Sequence, residues 1–451
     1  MTEPDHGSAE SVAEGLAAAG VVGLTIAWID NNGIPRSRTV PVSRVAEVAE
    51  RGVGITTLFA VFDSHDGITF GHEGLSTPSG DVRLLPVLGR VTGLAGQPGL
   101  AWAPGRQLAS DGSAWPYDQR SALEAQVDRA AALGLELRVG YELEFFVGHD
   151  SDEPRPAHRG PAYSPQALLE IDEFVVALLR DLNANGLEIG QLHAEYGPAQ
   201  VELSLLASDP VSAADNQLLA RQTIRAAARA HGVRVSFAPL VTAEGVGNGW
   251  HVHSSVWREG ENLLGGDRSP GAQGSGYIAG LLRDLPALAA VAAASVPSLA
   301  RFRPGYFAGA YAFWGIENRE AALRYVPSSP LLGDSNANVE LKPSDASGNP
   351  YLTLAAVIAA GLAGIEAKLP LARSIEEDPG RWTDEQRERM GVVRLPTTPQ
   401  QQEDALLDSP RIREALGEPL LGAFLAARRA DASWAQDRSL EEVISAHLWR
   451  Y

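Results

Sequence analysis

Four short motifs carry carboxylates and imidazoles on stretches that read as extended chain. They are Glu142 and Glu144 in YELEFF, His193, Glu195 and Glu202 in HAEYGPAQVE, His251 and His253 in NGWHVHSSV, and Glu340 in ANVELKP. On a strand, a spacing of two turns both side chains to one face. An alternating acid on a strand is ordinarily the solvent face. Here the flanking Tyr141, Leu143, Phe145 and Phe146 are apolar or aromatic, so no simple exposed face repeats. Several acids aimed into one cavity repel strongly unless cations neutralise them. Oxygen-rich clusters with at most one imidazole suit Mg²⁺ or Mn²⁺ far better than Zn²⁺, and phosphoryl transfer, in which metals bridge phosphate oxygens, is the chemistry such a site does best.

Phosphoryl transfer also needs fixed positive charge. The segment ENREAALRYVP offers Arg319 and Arg324, and Arg301 and Arg303 precede the turn Pro304-Gly305-Tyr306. A lone arginine is ordinarily half of a weak surface ion pair. As a guanidinium clamp it makes bidentate contacts with phosphate or carboxylate. No GxxxxGK[ST] segment occurs, so a nucleotide here is not held as in a P-loop protein.

The elements that must position these groups follow from pattern and punctuation. VVGLTIAWI, residues 21–29, leads into the turn Asp30-Asn31-Asn32-Gly33 and a second extended run from Arg38 to Val42, the signature of a hairpin. Strand-like pieces recur to about Arg90, with Gly-rich loops from Ser64 to Gly80. Glycines and prolines between Gly96 and Gln107 predict a boundary there. Beyond it, Ser121 to Leu133 reads as a helix stopped by Gly134, followed by the strand LELRVGYELEFFV. Ser164 to Leu182 and Pro210 to His231 read as further helices. QVELSLL, Val233 to Pro239 and Gly249 to Val256 read as extended, and the Ala-rich segments Ala287 to Ala294 and Leu354 to Ala363 as core helices. The resulting division is a disordered tail over 1–17, a small α+β domain over 18–105 and a large domain over 106–451.

Composition narrows the function. The 451 residues carry 37 Lys+Arg against 56 Asp+Glu, a formal charge of −19, and no cysteine. The charge opposes the counterion release that drives nucleic-acid binding and leaves no basic footprint for anionic lipid. Without cysteine there are no disulfides, thiolate metal sites or thiol nucleophiles, so any metal must sit on His, Asp or Glu. The polar, acidic N-terminal stretch does not read as a secretory signal, and the most apolar segment, Leu285 to Leu299, is short and contains Pro286 and Pro297. A cytoplasmic protein is the expectation.

In order and spacing, YELEFF, HAEYGPAQVE, GNGWHVHSS, RFRPGYFAGAYAFWGIENREAALR and NVELKPSDASGNPYLTLAAVIAAGL resemble the glutamine synthetase superfamily. The resemblance implies an α+β fold, with a β-grasp N-terminal domain and a catalytic domain whose curved antiparallel sheet, flanked by helices, forms a funnel-shaped site. It also implies ATP, two or three Mg²⁺ or Mn²⁺ ions, and a homo-dodecamer of two stacked hexamers. By position, Glu144, Glu195 and Glu202 match the ligands of one metal, and Glu142, His251 and Glu340 those of the other. Arg319 and Arg324 match phosphate-contacting arginines, Arg319 also having a catalytic part, and Arg301 matches the arginine that grips the α-carboxylate of glutamate. Gly247 lies in the loop that meets the amino acid, His253 and Ser255 match nucleotide contacts, and Lys342 and Phe307 fall in the substrate-binding set.

The departures bear on the nucleophile. Ammonium-using members carry a flap glutamate after Pro-Gly-Tyr, and here that position is Phe307. Val246 replaces an asparagine, Asn338 and Lys342 stand where arginines are usual, and Gly190 replaces an acid near the nucleotide. Asp63 and Asp66 compete for the aspartate of the ammonium pocket, and no tyrosine lies between Pro370 and Trp382, where adenylylated members have theirs. The implied reaction phosphorylates the side-chain carboxylate of L-glutamate with ATP, and a nitrogen nucleophile then attacks γ-glutamyl phosphate. With Phe307, Tyr311, Phe313 and Trp314 as apolar walls, the expected nucleophile is a small primary amine, ethanolamine slightly ahead of polyamines or alkylamines. The alternatives are an ammonium-using glutamine synthetase and a non-catalytic sensor or scaffold.

Overall fold

The computed structural model describes residues 8–266 and 269–451. The predicted hairpin forms from β1 (Gly23–Ile29) and β2 (Pro35–Pro41), paired antiparallel with Ile29 opposite Pro35. With β3 (Val53–Thr56), β4 (Asp81–Pro86), β5 (Thr92–Gly93) and β6 (Leu100–Ala109) it builds a sheet ordered β2-β1-β6-β4-β3, β5 pairing with β6. At its centre β1 and β6 run parallel. A parallel pair needs a long crossover, and the one here includes the helix Val45–Arg51, which buries Val45 and Val48.

Two expectations are corrected in this half. Met1 to Gly7 lie outside the described residues, but the rest of the expected tail is mostly a helix, Ala9–Ala18. The Ser8 hydroxyl caps it by accepting from the Ser11 N–H at 3.3 Å, and Ala13 and Leu16, three apart, pack on the N-terminal core. The polar composition of the first residues masks that stripe. The expected boundary at 96–107 is instead occupied by β6, which continues past residue 105. Ala101, Trp102 and Ala103 are buried, and the Pro104 carbonyl accepts from Val87 N–H at 2.9 Å. Gly105 is there for room rather than for a turn, since a Cβ would lie 2.5 Å from Leu84 Cδ1.

The second sheet is assembled from β7 (Glu136–His149), β8 (Ile189–Ala194), β9 (Gln200–Ser208), β10 (Val233–Ser236), β11 (Trp250–Arg258), β12 (Glu261–Asn262), β14 (Trp314–Ile316), β15 (Leu323–Val326) and β16 (Asn338–Leu341). Between them in sequence β13 (Tyr311–Ala312) pairs separately with β17 (Val393–Arg394). The order is β14-β15-β16-β11-β7-β9-β8, with β10 on β7 and β12 on β11. It is antiparallel throughout except for β14 with β15. Along β7, Leu137, Val139, Tyr141, Leu143, Phe145 and Val147 are buried on one face. That face belongs to the large core shared with the helices Pro210–Ala230 and Pro350–Glu366, and the sheet's other face is free to hold the acids.

The Ala-rich segments are core helices as expected, at Leu285–Ala292 and Pro350–Glu366. The latter lies in backbone contact with the helix Ala272–Arg283, where a Cβ on Gly364 would fall 2.1 Å from the Gly276 carbonyl oxygen. The helix expected over Ser164 to Leu182 is two helices, Pro165–Leu169 and Asp172–Ala184. The chain leaves helical geometry at Ile171 (φ −131°, ψ 25°), whose side chain is buried in the core. Burying that residue outweighs the local periodicity. The two halves of the molecule meet at the Asp30–Gly33 turn. Arg221 Nη1 donates to Gly33 O at 2.6 Å, Gln119 Nε2 to Asn31 Oδ1 at 2.8 Å, and Asn349 Nδ2 to Ile29 O at 3.2 Å.

Candidate active site

Strand register gathers the sequence-predicted acids. Glu142 on β7 stands opposite His251 on β11, and Glu144 opposite Glu202 on β9. His253 stands opposite Glu340 on β16, Arg324 on β15 faces the same Glu340, and His193 on β8 faces Glu202. Opposed residues share a face, so every motif read from the sequence lands on one side of the curled sheet. Glu195 follows β8 directly, and its carboxylate lies 3.4 Å from His193 Nε2.

The contacts form one continuous cluster. His251 Nδ1 is 3.2 Å from Glu142 Oε2 and 3.4 Å from Glu340 Oε1, and His253 Nε2 is 3.3 Å from Glu142 Oε1. Three sets of ligand atoms lie close enough to share an ion: Glu142 with Glu202 and His251, Glu142 with His253 and Glu340, and His193 with Glu195 and Glu202. Glu144 is fixed by the Gly249 N–H at 2.7 Å and by Gln200 Nε2 at 3.1 Å. At Gly249 a Cβ would sit 2.5 Å from His251 Nε2, so glycine keeps the imidazole in place.

The electrostatics are those of a site made for cations. Burial and the charges of Glu142, Glu144, Glu195 and Glu340 push Glu202 up to about 9. Burial also raises Glu144. Against burial, hydrogen bonds from His251 and His253 hold Glu142 well below the usual carboxylate range, and Lys342, His253 and His251 do the same for Glu340. His253 Nδ1 lies 2.9 Å from Asn338 Oδ1, and its buried Nε2 is turned to Glu142 Oε1 at 3.3 Å. Each of the three sets offers two carboxylates and one imidazole, an oxygen-rich donor set that suits Mg²⁺ or Mn²⁺.

The cluster lines a cavity of about 1000 Å³ that also holds Arg301, Arg319, Arg324, Lys342, Gly247 and Phe307. Arg319 is exposed in it. Arg324 Nη1 donates to Glu340 Oε2, and Lys342 Nζ to Glu340 Oε1, both at 2.8 Å. Arg301 is buried and braced internally: Nη1 reaches Ser344 O at 2.7 Å and Asn248 O at 3.2 Å, and Nη2 reaches Lys342 O at 3.0 Å. Its side chain packs on Gly247, where a Cβ would lie 2.3 Å from Arg301 Cγ. Ser255 follows His253 on the same strand face, outside the cavity lining, and its Oγ accepts from Trp257 Nε1 at 2.8 Å.

Other residues here received no role from sequence. His193 stood in the motif without one. Gln200, two before Glu202 on β9, bridges Glu144, Gly247 O and Asn248 Oδ1; the same period-two argument would have found it. Tyr163, from a loop with φ of 59°, lines the cavity with no pattern to announce it. Asp63 and Asp66 are engaged elsewhere. Asp63 Oδ1 accepts from the His65 and Gly67 N–H groups, and Asp66 pairs with Arg36 and Arg450.

Residues 116–443 match the family model for the glutamine synthetase catalytic domain. The chain belongs to the glutamine synthetase family. It is 42% identical over 443 residues to the gamma-glutamylpolyamine synthetase GlnA3 of Streptomyces coelicolor, covering 97% of this chain and 95% of that one. It is 28% identical over 407 residues to a glutamine synthetase of Pyrococcus abyssi, covering 88% and 87%. A crystal structure of a glutamine synthase homologue superposes with a TM-score of 0.85 at 30% identity, over 96% of this chain and 99% of that one. The protein is therefore a ligase of this family, whose members use ATP, divalent metal ions and glutamate with ammonia or an amine. Among the described residues, no helix is long and apolar enough to cross a membrane.

Proposed function

We propose that this ligase joins the γ-carboxylate of L-glutamate to a primary amine, with ATP converted to ADP and phosphate, and that its amine is a polyamine. The reading rests on one observation: the carboxylate–histidine cluster shares its cavity with a flap that presents Phe307 instead of an acid. Rings of Tyr163, Tyr196 and Tyr306 line the same space, together with the carboxylate of Glu244. Aromatic faces and a mouth carboxylate suit a chain bearing a second ammonium group. The sequence slightly favoured ethanolamine for want of such acids. Glu244 and the full-length likeness to GlnA3 tip the balance toward polyamines.

In this reading Glu142, Glu144, Glu195, Glu202, His251 and Glu340 hold the divalent ions, whose contribution when bound is to neutralise the phosphoryl oxygens. Arg319 and Arg324 contact the ATP phosphates, and His253 and Ser255 lie on the nucleotide side. The remaining donors of Arg301 take the glutamate α-carboxylate beside Gly247. A γ-carboxylate oxygen attacks the terminal phosphorus and ADP leaves. The free-base amine then attacks the γ-carbonyl carbon, the C–O bond to phosphate breaks, and one N–H proton ends on the phosphate. The chain's part is orientation and charge rather than covalent catalysis.

The test is to supply ATP, Mg²⁺ and glutamate with ammonium, ethanolamine, putrescine or spermidine, following phosphate release and product mass. Spermidine or putrescine should give glutamate-dependent phosphate release and a γ-glutamylated product. Turnover with ammonium as fast as with any organic amine would overturn the amine reading, and preference for ethanolamine would overturn the polyamine assignment.

A further inference from the structure

The flap, residues 304–308, is held in an unusual backbone state. Gly305 has φ of 79° and Phe307 has φ of 55°, a left-handed conformation that a bulky aromatic residue rarely adopts. Such a conformation persists only where its surroundings over-determine it. One side is clear: Arg303 donates to Gly245 O at 2.6 Å, and its guanidinium lies 4.1 Å from the centre of the Tyr306 ring. Behind the flap, Ala308 packs with Ala293 and Phe302.

The other side is a buried acid outside the cavity lining. Glu320 Oε1 accepts from the Phe307 N–H at 3.3 Å, and the Gly305 N–H is turned toward the same carboxylate and favours its charged form. Alternate backbone N–H groups turned to one carboxylate make an anion nest. Glu320 is itself fixed, because its N–H donates to Asn318 Oδ1 at 3.0 Å, and Asn318 Nδ2 is tied to Ile375 O at 2.9 Å. Phe307 meanwhile is 57% exposed and lines the reaction cavity. An exposed aromatic with no core of its own is oriented by its backbone, and that backbone is held from behind by Glu320.

We propose that Glu320 is a positioning residue for the nucleophile, its carboxylate holding the left-handed backbone of Phe307 so that the ring forms a fixed wall of the amine pocket. The inference rests on the amine-ligase reading in taking that wall as the amine's. It does not require Glu320 to touch the amine.

The test separates KM values in Glu320→Ala and Glu320→Gln. Gln keeps an acceptor oxygen, whereas Ala leaves the Phe307 N–H without its partner. Glu320→Ala should raise the KM for the amine by about tenfold while the KM values for ATP and glutamate stay within about twofold. Glu320→Gln should restore most of the loss. In a Phe307→Gly background, where glycine adopts the left-handed state freely and the wall is gone, Glu320→Ala should add nothing to the amine KM. An unchanged amine KM, parallel losses for all three substrates, or additive effects with Phe307→Gly would each overturn the proposal. The wild-type amine panel is scored separately. If only ammonium supports turnover, the amine reading fails, and the same variant comparison run with ammonium still decides whether Glu320 positions the flap.

Discussion

Glu202 sits among four other carboxylates, and burial together with their charge pushes it up to about 9. Its unfolded-state value is the ordinary 4.5. Between those values the folded, metal-free protein binds the proton and the unfolded chain does not. The side chain's contribution to stability is therefore full below about pH 4.5 and lost as pH rises toward 9. Glu142 and Glu340, held low, are already ionised across this window and add no slope. Without metal, the stability of the wild type relative to Glu202→Gln should fall as pH rises from about 5 to 9, by at most about 1.4 kcal/mol per unit. Mg²⁺ or Mn²⁺ should abolish that trend by taking the proton's place. Denaturant unfolding of both proteins across this pH range, with and without metal, checks it, and a pH-independent difference would refute it.

At the scale of elements, the site is a matter of register. Glu142 and Glu144 on β7, and His251 and His253 on β11, could each be assigned to one face from sequence because alternation on a strand is fixed by geometry. Which strands lie side by side is not local, and β16, over a hundred residues from β9, was placed only by the fold. The loop between β10 and β11 shows the same division. The resemblance puts Gly247 in the loop that meets the amino acid, and what it and Gly249 supply in the fold is space: Gly247 admits the Arg301 side chain and Gly249 the His251 ring. Gly247→Ala should push Arg301 from its braces on Ser344 O and Lys342 O. The expected outcome is a rise of tenfold or so in the KM for glutamate, with the KM for ATP changed far less. Steady-state kinetics varying each substrate in turn checks it.

Over the whole molecule, the two halves are joined by buried polar groups. Asp30, Asn31 and Asn32 form the hairpin turn as expected, but they are buried where the N-terminal sheet meets the catalytic half. A second joint links the 62–67 loop to the C-terminal helices. Ser64 Oγ donates to Asp431 Oδ1 at 2.7 Å and lies 3.1 Å from His447 Nε2. These are the side-chain types of a nucleophilic triad, but Ser64 is fully buried and the acid bonds the serine rather than the histidine. Burial pushes His447 down to about 4, so the imidazole is neutral at pH 7 and the joint is structural. Ser64→Ala should cost about 1–3 kcal/mol by stranding a buried acceptor. The urea midpoint should fall with little change in slope, and an unchanged midpoint would show that the joint bears no load.

By itself the sequence determined the chemistry. Types and spacings of short-range residues named the acids, the histidines and the arginines, excluded thiol chemistry, and ordered the motifs as in glutamine synthetases, because strand alternation and motif order are properties of the chain. Tertiary structure decided the rest, for reasons that are non-local. Core burial broke one expected helix at Ile171 and drew the proline-bearing 100–109 segment into the middle of a sheet. Arg301 emerged braced by backbone carbonyls, His193 and Gln200 entered the acid cluster, and Glu320 came to rest behind the flap. Only long-range packing and hydrogen bonding bring such partners together.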